Sequence, residues 1–247
     1  SDGPKPLSLA QYYARLTQRL ITAISAPTAE GMLYEVDMRL RPSGSKGPVA
    51  TSLASFVAYQ KESAWTWEKL ALTRARVVAG PPALAARMAE AVRSSLSEGR
   101  DRDSIRKDVL DMRSLMVREQ KSSGIWDIKR TRGGLVEIEF IVQYLQLVCA
   151  GERPQVLSTN TFEALGKLEQ SGFIPPEPAH VLREACLLYQ RMTQVLRLAI
   201  SADFDRTQTT RGLSELVARA AAAPDVNVAE TLLQDTENAV ADIFNQL

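Results

Sequence analysis

Leu135-Val136-Glu137-Ile138-Glu139-Phe140-Ile141-Val142-Gln143-Tyr144-Leu145-Gln146-Leu147-Val148-Cys149 decides the fold. It is too long for an ordinary strand and apolar almost all round, so it reads as a helix covered on most sides by other elements. The sequence around it supplies the cover. Leu84, Met88, Val92 and Leu96 fall on one helical stripe, and Ile105, Val109, Met112 and Met116 on another. Asn160 and Glu163 make a capping-box-like start before Phe162, Leu165 and Leu168. Leu182, Ala185, Tyr189, Met192, Leu196 and Ala199 mark a long helix after Pro175-Pro176-Glu177-Pro178, and Val228, Leu232, Ala239, Ile243 and Leu247 a last one. With short loops between them, neighbouring helices are expected to pack antiparallel.

Upstream the pattern changes. Ser8 is a plausible N-cap for a helix bearing Leu9, Tyr12, Leu16, Leu20 and Ile24, ended by Pro27, and a further helix is expected over 52–72. Between them Tyr34, Val36, Met38 and Leu40 alternate with Glu35, Asp37, Arg39 and Arg41. A period of two predicts a strand with one apolar and one charged face, followed by a Pro/Gly/Ser loop over 42–48. A second short strand is expected over 76–80. The fold class is therefore mainly α, an antiparallel helical bundle with a small β remnant. The break at Pro81-Pro82 divides it into 1–82 and 83–247.

Composition narrows function. The 247 residues carry 30 Lys+Arg against 29 Asp+Glu, a net charge of +1, and 45% are hydrophobic, as in globular proteins. Balanced charge argues against a protein that grips nucleic acid. No apolar run is long enough to span a membrane. Ser1-Asp2-Gly3-Pro4 reads as a loop that begins mid-protein rather than a signal peptide. One histidine, His180, leaves little zinc chemistry, and Cys149 and Cys186 form no disulfide framework, which points to the cytoplasm.

Two constellations carry chemistry. Asp37 has the hard oxygen donors that Mg2+ takes, and Arg39 and Arg41 share its strand face and suit phosphate oxygens. A solvated face whose charges pair among themselves explains the same residues. The second is Trp126-Asp127-Ile128-Lys129-Arg130-Thr131-Arg132-Gly133-Gly134, just ahead of the apolar helix. Free N–H groups and the helix dipole favour an anion there, with Lys129, Arg130 and Arg132 around it and glycine allowing close approach. A solvated loop before a glycine-assisted helix start is the other reading. Glu137 and Glu139 complement the dipole or orient the cations, and Glu139, Gln143 and Gln146 form a polar stripe. Arg74 and Arg76 would add to a phosphate-binding surface, Trp65 and Trp67 read as packing residues, His180 as a surface residue and both cysteines as core.

Tyr34-Glu35-Val36-Asp37-Met38-Arg39-Leu40-Arg41-Pro42-Ser43-Gly44, Ala64-Trp65-Thr66-Trp67-Glu68, Leu72-Thr73-Arg74-Ala75-Arg76-Val77-Val78-Ala79-Gly80 and the stretch from Trp126 to Phe140 together resemble the bacterial glutamine synthetase adenylyltransferases, in order and over essentially the whole chain. The wording resembles that family's C-terminal, adenylylating half. The resemblance implies a polymerase-beta-like nucleotidyltransferase that moves AMP from ATP to a tyrosine of glutamine synthetase and so regulates nitrogen assimilation. It implies Mg2+ as cofactor, Asp37 as the third catalytic and metal-binding carboxylate, and Arg39, Arg41, Lys129, Arg130 and Arg132 as nucleotide-binding residues. The family's Gly-Ser and Asp-x-Asp motifs are absent from this sequence, so 1–82 is expected to be the C-terminal portion of the catalytic domain and the isolated chain to be inactive. Two alternatives stay open: a non-catalytic helical module that binds glutamine synthetase, the PII signalling protein or glutamine, and the related PII uridylyltransferases, which share the Gly-Gly-Leu-x-Asp/Glu-Ile signature, although the tryptophan-rich segment argues against them.

Overall fold

The computed structural model describes residues 6–119, 122–200, 204 and 209–247. Ser1-Asp2-Gly3-Pro4, read above as a loop, lies outside the described residues. The described chain is mainly helical: α1 Leu9–Ser25, α2 Leu53–Glu62, α3 Thr66–Leu72, α4 Pro82–Leu96, α5 Arg102–Glu119, α6 Leu135–Cys149, α7 Thr161–Gln170, α8 Pro176–Ala199, α9 Arg211–Ala220 and α10 Val226–Asn245. Among the described residues none of these helices is long and apolar enough to cross a membrane.

Local chemistry sets the helix ends. Ser8, Ser52, Asn160, Thr210 and Asp225 each accept a backbone N–H of their own first turn, which removes one of the unpaired donors every helix start leaves. The single helix expected over 52–72 is two. The chain breaks at Ser63–Trp65, and α3 restarts when the Glu68 carboxylate accepts the Trp65 N–H at 2.9 Å and the Tyr59 hydroxyl at 2.8 Å. Lys69 then ties α2 to α4, donating to the Gln60 carbonyl and to Ser95 Oγ.

α6 is the centre, as its sequence requires. α3, α5, α7, α8 and α10 all pack on it, and Ile138, Ile141, Leu147 and Cys149 are fully buried. Removing that much apolar surface from water is the main driving force for assembling the bundle. α8 contributes Leu182, Ala185, Tyr189, Met192 and Leu196. α10 closes against α6, α8 and α9. Its buried face is Ala229, Leu233, Glu237, Val240, Ala241 and Phe244, rotated from the expected stripe, so Val228 and Leu232 stay partly exposed. α9, with Leu213, Leu216 and Val217, was not anticipated from the sequence.

The β remnant is not found. Residues 33–41 and 76–80 are irregular, the first closing in a turn from Met38 to Arg41, and the β pairing among the described residues is one isolated bridge, Thr28 to Gly31. A strand is held by a neighbour's N–H and C=O groups, and the described chain offers 33–41 one such bond, from the Tyr34 N–H to the Ile24 carbonyl, and no ladder. Its apolar residues are accordingly uncovered: Tyr34 is 69% exposed and Leu40 61%, with Val36 and Met38 half-buried. α1 shares this condition. It buries no residue, and Leu9, Tyr12, Leu16 and Leu20 face solvent.

Candidate functional site

In the 33–47 segment Asp37 and Arg39 form a forked pair. The Arg39 Nε donates to Asp37 Oδ2 at 2.8 Å and its Nη2 to the same oxygen at 2.6 Å, while the Arg39 backbone N–H donates to Oδ1 at 2.9 Å. These bonds hold the Asp37 carboxyl below the usual carboxylate range and raise the Arg39 guanidinium. Both side chains are more than half exposed, so the pair presents an ionised carboxylate and a cation to solvent. Arg41 does something different. Its Nε, Nη1 and Nη2 donate to the carbonyls of Gly47, Met38 and Ser45 at 3.1, 2.7 and 2.9 Å. It therefore folds the 42–47 loop around itself. That loop turns so tightly that a Cβ at Gly47 would lie 1.9 Å from the Pro42 carbonyl oxygen.

The basic turn is built inward. Glu137, with no exposed surface, accepts Arg113 Nε at 2.8 Å, Arg132 Nη1 at 2.7 Å and the Gly133 N–H at 3.0 Å. Arg113 is itself buried and donates to the carbonyls of Arg130 and Thr131, both at 3.0 Å. Arg132 also bonds the Asn245 side-chain oxygen and lies over the Phe244 ring, 5.4 Å from its centroid. Arg130 pairs with Asp127 at 2.8 Å. The anion that a helix N-terminus attracts is thus already present: the carboxylate of Glu137. Gly133 is needed for approach, as the sequence suggests, but the approaching group is protein. At φ +77° a Cβ there would sit 1.7 Å from the Glu237 carbonyl oxygen of α10. The Tyr189 hydroxyl seals the turn by donating to the Gly133 carbonyl at 2.8 Å.

The hydrogen bonds and ion pairs of the turn run to α5, α6, α8 and α10, and those of 33–47 stay within that segment except where they reach the end of α1 and the Tyr59 hydroxyl of α2. The described contacts do not join the two constellations. Lys129 alone of the turn's cations is exposed and without an acidic partner among the described residues. Glu139, on the polar stripe of α6, pairs with Arg74, and Gln146, on the same stripe, is buried and accepts the Ser158 N–H at 2.7 Å. Trp65 is 70% exposed, so it is not the packing residue expected. His180 is exposed, and Cys149 and Cys186 are core residues whose thiols burial pushes up, Cys186 to about 11.

The donor set does not fit the implied Mg2+ centre. No cluster of three or more His, Cys, Asp or Glu exists among the described residues, Asp37 is already engaged by Arg39, and a phosphoryl-transfer metal pair needs several carboxylates to hold it. What sequence reasoning missed is Glu237. It is buried in α10 with Oε1 unpartnered, and burial pushes its carboxyl up to about 8. A lone Glu on an otherwise apolar helical face is the signal that would have found it.

Comparison with known proteins divides the chain in two. The family model for glutamate-ammonia ligase adenylyltransferase matches residues 1–91, and that for GlnD PII-uridylyltransferase matches 105–247. Whole-chain similarity runs to proteins named bifunctional glutamine synthetase adenylyltransferase/adenylyl-removing enzyme. Those of Xanthobacter autotrophicus and Rhodopseudomonas palustris strain TIE-1 are 45% and 46% identical over 100% of this chain. That of Rhizobium meliloti is 47% identical over 99% of it. In each case the chain spans 25% of the relative's length.

Proposed function

From a chain that belongs to the glutamine synthetase adenylyltransferase family, with 105–247 matching the PII-uridylyltransferase model, we propose the part of a nucleotidyltransferase that transfers AMP from ATP to a tyrosine of glutamine synthetase. The observation that carries this reading is the Asp37–Arg39 pair. It is an ionised, solvent-facing carboxylate at the sequence position that the resemblance gives to the family's third catalytic carboxylate, and a fork of hydrogen bonds orients it. Residues 1–82 belong to the catalytic domain in this reading, 83–247 form an antiparallel helical domain, and the whole acts in the cytoplasm. Arg39 sets the orientation and ionisation of Asp37 and offers its remaining N–H groups to phosphate oxygens. Lys129 is the cation of the basic turn left to meet phosphate. Arg41, Arg130 and Arg132 support the site by shaping the loop and the turn that carry those groups. Because Asp37 stands without companion carboxylates, no step is assigned to Mg2+ on these residues, and the chain by itself is expected to leave glutamine synthetase unlabelled.

The self-contained basic turn favours a second role for the helical part. A turn whose arginines are mostly taken up by the bundle's own carboxylates leaves the helical part suited to docking, and glutamine synthetase, the PII protein and glutamine are the ligands proposed for it. The test uses a longer protein extended N-terminally, incubated with glutamine synthetase, Mg2+ and labelled ATP. Asp37→Asn should abolish labelling with the melting temperature unchanged, whereas undiminished labelling refutes the catalytic assignment. Loss of glutamine synthetase binding on replacing exposed helical residues, with labelling of a minimal tyrosine peptide retained, would support the docking role.

A further inference from the structure

After α3 and the turn over 73–75 that closes it, the chain crosses α4 as an irregular strap over 76–80. From Arg76 to Ala79 its backbone makes no hydrogen bond to other described residues, and Val78 is 83% exposed. The foot of the strap is fixed, since Arg74 pairs with Glu139 of α6. Beside it lies a cavity of about 650 Å³, walled by the strap, by α4 and by the 157–159 segment ahead of α7. That volume is in the range of small-molecule sites, which favour the seams between structural units. This seam lies between the two regions matched by different family models.

The walls are mostly apolar, with Met88, Val92, Leu96 and Leu157 among them. The polar groups at the cavity are mostly spent. Thr73 donates to the Leu70 carbonyl, Ser158 to Glu163, and Arg93 pairs with Glu90. Two remain uncommitted among the described residues: the Arg76 guanidinium, which has no acidic partner, and the Thr159 hydroxyl. An open apolar cleft with an exposed cation and an exposed hydroxyl at its edge, neither partnered among the described residues, complements a ligand that is apolar along its body and anionic at one end.

We propose that this cavity binds a small amphiphilic anion, with a flat apolar body against Met88, Val92, Leu96 and Leu157 and a carboxylate or phosphate on Arg76. Such a ligand touches the strap, α4 and the 157–159 segment at once, so its binding joins the two regions. It is separate from the Asp37 chemistry, and the test has a readout that AMP transfer does not enter. The probes are 1-naphthoate, 1-naphthyl phosphate and the neutral 1-naphthalenemethanol, titrated calorimetrically into the chain. The anions are expected to bind with a stoichiometry of about one and at least ~10-fold more tightly than the alcohol. Arg76→Gln should bring the anions to the alcohol's level. Ala89→Trp, at an exposed position on the cavity rim, should block all three probes, and Leu16→Ser on the bare face of α1 should change nothing. Melting curves confirm that each variant folds. A preference for the phosphate over the carboxylate identifies the headgroup; the reverse preference identifies the other. Equal binding of the alcohol, binding that survives Arg76→Gln and Ala89→Trp, or no binding by any probe overturns the proposal.

Discussion

The 33–47 segment and the turn over 127–137 are written in the same alphabet, arginines beside carboxylates and glycines, and the protein uses them in opposite ways. At the turn, Arg113 and Glu137 neutralise one another inside the bundle, where an unpaired charge is costly, and the half-exposed Arg132 reaches the same carboxylate from the surface. In 33–47, Asp37 and Arg39 do so in water, where the pairing costs and gains little and either partner can be taken by a ligand. Glycine follows the same division. Gly47 lets a surface loop fold around Arg41, and Gly133 lets α10 lie on α6. An arginine–carboxylate pattern therefore acquires meaning only from burial: charges withdrawn from water build the fold, and charges left in water remain available for chemistry.

The largest expected effect sharpens that contrast. Glu137→Ala leaves Arg113 buried without its carboxylate, and a loss of about 3–5 kcal/mol is expected in denaturant unfolding. A loss below about 1 kcal/mol would place the turn with the surface pairs. Next comes Gly133→Ala. The new Cβ meets the Glu237 carbonyl at an unfavourable φ, so roughly 2–4 kcal/mol is expected by the same measurement.

Glu237→Gln tests the bundle's interior through pH. The folded-state pKa is raised to about 8 from an ordinary value of 4.5, so the native state keeps a proton that the unfolded chain gives up. The contribution to stability is fully present below about 4.5, falls as pH rises and is lost above about 8. The variant should remove that slope and exceed the parent by about 1–3 kcal/mol at pH 9, read from melting curves across pH 5–9. Identical pH profiles would mean that Glu237 does not titrate in this window.

The smallest effect completes the comparison. Asp37→Asn and Arg39→Gln should leave the melting temperature unchanged, since both groups are solvent-exposed and make their side-chain bonds to each other. A drop comparable to that of Glu137→Ala would collapse the distinction between the two regions.

Much of the bundle is legible in the sequence because it is written locally. The all-round apolarity of α6, the stripe of α8 and the caps at Ser8 and Asn160 each need only a few neighbouring residues. What failed depended on partners. The alternation over 33–41 is a sound strand pattern, but a ladder takes two segments, and no described segment pairs with it. The basic turn looked open because the residues that close it, Tyr189, Glu237 and Asn245, are distant in sequence. Glu237 itself is polar, so counting apolar residues on α10 put the buried face one position off. Of the candidate site, the sequence identified the Asp37–Arg39 constellation, but the loop-building role of Arg41 appears only when its three carbonyl partners are in place.

The contact between Gly133 and Glu237 has a consequence for how the chain reaches this structure. The α6 N-terminus is sealed by a residue made roughly 100 positions later, which at about 5–20 residues per second reaches the ribosome exit roughly 5–20 s after the turn does. During that interval the Arg113–Glu137 pair is wet and the apolar sides of α6 and α8 are only partly covered. Docking of α10 is thus the step that dries this side of α6 and α8, and the nascent segment is most exposed to chaperones and proteases just before it docks.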